Sequence, residues 1–156
     1  AGEVLPGDVL QLAEKAFSAG ADMVGLADTI GYAGPAQIES LCREITRVNT
    51  EAPLVIHLHD TRGMGIANAA AALDSGVQIL DASLGGLGGC PFAPGATGNV
   101  VFEDVVFLCE RMGFATNIDV EALHKARLIA EQSMPSEIFY GNVPRAGVPK
   151  NITWAG

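Results

Sequence analysis

The sequence predicts an α/β fold of parallel strands joined by crossover helices. Short apolar runs at 21–27, 53–59 and 77–83 alternate with segments of helical periodicity. Each run also ends in a polar cluster: Asp28-Thr29, then His57 and His59 with Asp60, then Asp81 with Ser83. Polar groups gathered at the C-terminal ends of parallel strands are where open α/β sheets and (β/α) barrels both build their sites. The pattern leaves both closures open.

The elements follow in order. A helix is expected over 8–19, with Val9, Leu12, Ala13, Ala16 and Phe17 at spacings of three and four, and Gly20 as its stop. A strand over 21–27 leads to the loop Gly31-Tyr32-Ala33-Gly34-Pro35, where proline suits a first helical turn. The next helix, 36–48, puts Ile38, Leu41, Cys42, Ile45 and Val48 on one face. The histidine strand covers 53–59. An alanine-rich helix over 64–75 ends at Gly76, and a strand over 77–83 runs into a glycine-rich loop. A helix over 100–112 carries Glu103 and Asp104 near its start, where carboxylates favour the helix dipole. A last helix over 120–133 precedes a tail, 134–156, expected as loop with one turn at most. Three parallel strands neither close a barrel nor cover both their edges.

At 156 residues the chain is the size of one domain, and 49% apolar content is ample for a core. The net charge of −9 argues against non-specific nucleic-acid binding, which draws on Lys and Arg contacts to phosphate. No 18-residue apolar run suggests a membrane span, and no basic and apolar leader pattern stands at the start. Cys42, Cys90 and Cys109 form no CxxC pair, which fits free thiols in a reducing, cytoplasmic setting.

Chemistry concentrates in two stretches. His57 and His59 stand two apart on a strand, so their side chains share a face. Two imidazoles so placed can hold adjacent corners of a metal's coordination sphere; the plainer reading is two hydrogen-bonded strand histidines. The second stretch, 85–99, is a glycine-rich loop with one thiol, Cys90, ending in one amide, Asn99. Its Cys-Pro and Pro interruptions do not match a dinucleotide-binding Gly-x-Gly-x-x-Gly turn.

Together, His57-Leu58-His59-Asp60-Thr61-x-Gly63, the loop 86–99 and Glu103-Asp104 resemble the 3-hydroxy-3-methylglutaryl-CoA lyase family. More broadly they are similar to the metal-dependent group that includes isopropylmalate and homocitrate synthases. Gly-Gly-Cys-Pro points to the lyase branch. Leu26–Gly31 also resembles the end of the family's strand 6, and Arg145–Lys150 is similar to bacterial members. The resemblance implies a (β/α)8 TIM barrel, of which this chain matches the C-terminal portion, about strands 6–8 and their helices. The family's N-terminal Asp-Arg-Glu motif has no counterpart here, so the chain is expected to be incomplete and inactive alone.

By the same resemblance, His57, His59 and Asn99 are metal ligands and Cys90 is the thiol acid. Asp28 belongs to the proton-transfer network, or else caps its loop. Asp60 orients a ligand histidine; Glu103 supports the Asn99 loop, or is only a favourable helix-start charge. The cofactor implied is a divalent cation, Mg²⁺ or Mn²⁺, although imidazoles also suit zinc. The substrate implied is an acyl-CoA, with Arg62 and Lys150 as weak candidates for CoA phosphates. The expected partner is a second copy or the N-terminal half of the barrel. Two alternatives remain: a lyase for a related thioester such as citramalyl-CoA, and a non-catalytic half-barrel that homodimerises. His124 is expected at the solvated surface. Met64, Met112 and Phe107 are expected as core filling, and Cys42 and Cys109 as inert buried thiols.

Overall fold

A computed structural model of the chain describes residues 3–89, 98–147 and 154–155. Ten elements follow one another: α1 (Pro6–Ser18), β1 (Val24–Asp28), α2 (Pro35–Val48), β2 (Leu54–Leu58), α3 (Gly65–Asp74), β3 (Ile79–Asp81), a 3-10 turn (Leu84–Gly86), α4 (Phe102–Arg111), α5 (Val120–Ser133) and α6 (Asn142–Ala146). The strands form one parallel sheet in the order β1-β2-β3.

Strands and helices alternate as expected, and the boundaries move for identifiable reasons. The first and third strands are shorter than their apolar runs. After α1, the amides of Gly20 and Ala21 return to the carbonyls of Phe17 and Ala16. After α3, those of Gly76 and Val77 return to Leu73 and Ala72. Helix C-caps thus consume the amides that would have opened each strand. Helix α1 begins earlier than expected because Pro6 supplies its first turn. Helix α4 begins later, because Val100 donates its amide to Leu58 and Val101 bridges Ser83.

In the described part of the tail, 134–147 and 154–155, the expected single turn is α6. Asp104 accepts the amides of Asn142 and Val143 at 2.7–3.0 Å and so starts α6 from a neighbouring helix. Trp154 meets Phe107 edge to face at 6.2 Å between ring centroids. Met64, expected as core filling, is instead exposed ahead of α3. His124 is half-buried rather than fully solvated.

The core lies on one side of the sheet. Leu54, Ile56 and Leu58 of β2 pack with Ile38, Cys42 and Ile45 of α2 and with Ala69, Ala72 and Leu73 of α3. Burial pushes the Cys42 thiol up to about 11, and burial first and Glu110 second raise Cys109, so both thiols are protonated and inert at neutral pH. The opposite side of the sheet is lined by the alternate residues. Its register sets Gly25, Val55 and Ile79 in one row and Ala27, His57 and Asp81 in the next. Of these six, Gly25, Ala27, Ile79 and Asp81 are exposed, and Val55 and His57 are half-buried.

Candidate metal centre

Parity places the two histidines. His57 ends the open face of β2, and His59, one residue past the strand, keeps the same side. Its backbone forms a bridge with Asn99, which brings the far end of the glycine-rich loop beside it. The two imidazoles meet through their Nε2 atoms at 3.2 Å. The other nitrogen of His57, Nδ1, lies 3.0 Å from the Asp81 carboxylate. Parallel register explains that contact, since His57 and Asp81 are Cα partners on neighbouring strands. A carboxylate on Nδ1 fixes the Nδ1–H tautomer and turns the Nε2 lone pair toward His59.

His59 is buried, and its pKa is lowered below the usual 6.5 by burial first and the His57 ring second, with Asp28 pulling the other way. The ring is therefore neutral at neutral pH, the form that binds metals. Asn99 donates Nδ2–H to the Leu87 carbonyl at 2.7 Å, and its Oδ1 is buried with no protein partner. A buried unpartnered amide oxygen costs free energy unless something else pairs with it. Two imidazole Nε2 atoms 3.2 Å apart and one orphaned amide oxygen fit a divalent cation with mixed N and O donors. Among the described residues no group of three or more His, Cys, Asp or Glu is placed to hold a metal ion by itself, so Asn99 is the distinguishing member of this set.

The other expected site residues are placed as follows. Cys90 and Lys150 lie outside the described residues. Asp28 accepts the amides of Tyr32 and Ala33 at 2.9 and 3.1 Å, and thereby caps the loop after β1. Asp60 accepts the Gly65 amide at 2.7 Å and starts α3; the carboxylate that touches a histidine is Asp81. Glu103 is buried between the Gly85 amide at 2.9 Å and Arg127 Nη1 at 2.8 Å. Arg62 donates to the Ile30 carbonyl and stacks on Tyr32 at 4.2 Å. An open cavity of about 680 Å³ lies along the free edge of β1, lined by Val9, Leu26, Ile38 and Leu41 with Asp28 and Arg62. It does not include the histidines.

Sequence reasoning missed the roles of Asp81 and Arg127. Asp81 carried a signal: it ends a strand adjacent to the histidine strand. Arg127 carried none for its pairing with Glu103, which stands on another helix; its near partner, Glu131, reads only as a pair within one helix.

With this geometry in view, comparison with known proteins is decisive. Residues 1–129 match the HMGL-like family model. The chain belongs to the HMGL-like family. It is 41% identical over 126 residues to a hydroxymethylglutaryl-CoA lyase of Bacillus subtilis, covering 81% of this chain and 42% of that protein. It is 48% identical over 122 residues to the (R)-citramalyl-CoA lyase of Chloroflexus aurantiacus, covering 78% and 38%. Among solved structures, an HMG-CoA lyase from Acinetobacter baumannii in complex with coenzyme A and 3-methylmalate aligns with a TM-score of 0.86 at 36% identity, over 97% of this chain and 50% of that one. This HMGL-like chain thus spans half or less of the length of these relatives. Its expected α/β class and parallel sheet agree with these family neighbours.

Proposed function

We propose that this chain carries the metal-holding sector of a carbon–carbon lyase that cleaves 3-hydroxy-3-methylglutaryl-CoA to acetyl-CoA and acetoacetate. The observation that carries the reading is the His57–His59 Nε2 contact together with the unpartnered side-chain oxygen of Asn99, whose backbone bridges His59. We assign the three strands to about strands 6–8 of a (β/α)8 barrel, with the row Ala27, His57 and Asp81 facing its interior.

The reaction is a retro-Claisen cleavage. The tertiary hydroxyl loses its proton and becomes the ketone of acetoacetate. The bond from C3 to C2 breaks, and its electron pair leaves as the enolate of acetyl-CoA. A proton delivered to that carbon completes acetyl-CoA. A bound divalent cation, Mg²⁺ or Mn²⁺, supplies Lewis acidity to the substrate oxygens. His57, His59 and Asn99 would hold it, and Asp81 keeps the His57 ring oriented for that role. Cys90 is the proposed acid for the enolate carbon. Asp28 joins the proton-transfer network beside its loop-capping role; Glu103 supports Asn99 from the outside.

The first test is isothermal titration of Mn²⁺ into the purified chain beside a His57→Ala/His59→Ala double variant. Saturable binding that the variant loses supports the centre; equal binding by both refutes it. Assayed alone, the 156-residue chain is expected to show no lyase turnover. Robust thioester cleavage would overturn that expectation. The 48% identity to a citramalyl-CoA lyase favours one second reading, a lyase for that thioester. A full-length form assayed with both substrates separates the two.

A further inference from the structure

We propose that the buried Arg127–Glu103 ion pair is a positioning device for the Asn99 amide, acting through the 84–87 turn. This rests on the metal-centre reading above and names the residues that aim one of its ligands.

Arg127 on α5 is 6% exposed and Glu103 on α4 is 5% exposed. Arg127 Nη1 donates to Glu103 Oε1 at 2.8 Å and to the Tyr140 carbonyl at 2.6 Å, while its Nε donates to Glu131 at 2.8 Å. The other Glu103 oxygen accepts the Gly85 amide at 2.9 Å. Tyr140 in turn donates its own amide to the Gly85 carbonyl at 2.8 Å. Both polar groups of Gly85 are therefore held by partners that Arg127 itself holds. Phe139 closes the third side: a Cβ on Gly85, whose φ is +61°, would lie 2.4 Å from that ring.

Gly85 is the middle residue of the turn that presents Leu87. The Leu87 carbonyl accepts Ser83 Oγ at 2.6 Å and Asn99 Nδ2 at 2.7 Å, which fills both its lone pairs. An amide whose NH₂ is committed in this way has one place for its oxygen. That oxygen is the buried, unpartnered Oδ1 of the residue whose backbone bridges His59. A buried ion pair is a poor source of net stability compared with apolar packing. What this one adds is direction, because a guanidinium fork fixes several acceptors at set angles.

The experiment compares Arg127→Met and Arg127→Lys with Arg43→Met, which breaks only an exposed helix pair with Glu39. Mn²⁺ affinity is measured in each and again in an Asn99→Ala background. Expected is a loss of about tenfold in affinity for Arg127→Met, as for other groups that orient metal ligands, and no further loss once Asn99 is alanine. In the metal-free chain, the Asn99 side-chain NH₂ signals are expected to lose exchange protection with Arg127→Met and to keep it with Arg43→Met. Unchanged affinity and unchanged Asn99 signals in a folded variant overturn the proposal, as does an equal loss in the Asn99→Ala background. If Arg127→Met does not fold, Arg127→Lys decides by the same readings, since a lysine reaches Glu103 without the fork. If the wild-type chain binds no Mn²⁺ through His57 and His59, the metal-centre reading fails. The Asn99 signals still decide the positioning claim.

Discussion

Ile56 and His57 are neighbours in one strand and live in different worlds. Ile56 is fully buried at 0% exposure among helix side chains, while His57 stands half-buried on the open face beside Asp81. The covered face is made of aliphatic groups whose burial holds the sheet to α2 and α3. The open face keeps the groups that titrate, donate or coordinate. Stability and chemistry are thus separated by side-chain parity, one residue apart.

The largest expected effect breaks the covered face. Ile56→Ala should cost about 2–5 kcal/mol in urea unfolding, the range for a large core truncation, whereas Val55→Ala on the open face should cost clearly less. Equal losses would mean that the open face is also a packed core. Next comes the open face's chemistry. Asp81→Ala should weaken Mn²⁺ binding about tenfold by freeing the His57 ring, with little change in the unfolding midpoint. A stability loss as large as that of Ile56→Ala would make Asp81 structural instead.

A smaller effect concerns pH. His59 has its folded pKa below 6.5, so between that folded value and 6.5 the unfolded chain binds the extra proton. Metal-free stability should therefore fall as pH drops below 6.5 and stop falling once folded His59 itself protonates. A His59→Asn chain should lack this slope in thermal melts; an identical slope would assign it elsewhere.

The smallest effect lies away from both faces. Glu110 is held below its ordinary 4.5 by the Thr116 hydroxyl first, the Thr116 amide next and then the Ala155 amide. Its stabilising share is present above 4.5 and is lost as pH falls through the lowered value. The single tryptophan, Trp154, lies next to Ala155 and against Phe107, so its fluorescence should report that acid step. Glu110→Gln should remove the step.

Much of this was legible locally. Helical periodicity located α2 and α5, with α5 placed at Val120–Ser133 as expected. Period-two alternation put His57 and His59 on one side, because strand side chains alternate whatever the rest of the chain does. The buried thiols of Cys42 and Cys109 followed from their positions on apolar helix faces. Other assignments needed partners distant in sequence. The strand ends came too long at 21 and 77 because the capping amides belong to the preceding helix. Asp60 looked like the histidine's carboxylate by proximity in sequence, yet the short reach of its side chain commits it to the Gly65 amide. Register between β2 and β3 gave that role to Asp81, 24 residues on from His57. Arg127, too, acquires its meaning only where α5, α4 and the 84–87 turn converge. The sequence by itself determined periodicity, parity and which residue types were on offer, since these are set within a few residues along the chain. Tertiary structure decided which carboxylate met which cation or imidazole, because a hydrogen bond of about 3 Å is a statement about space that sequence distance does not contain.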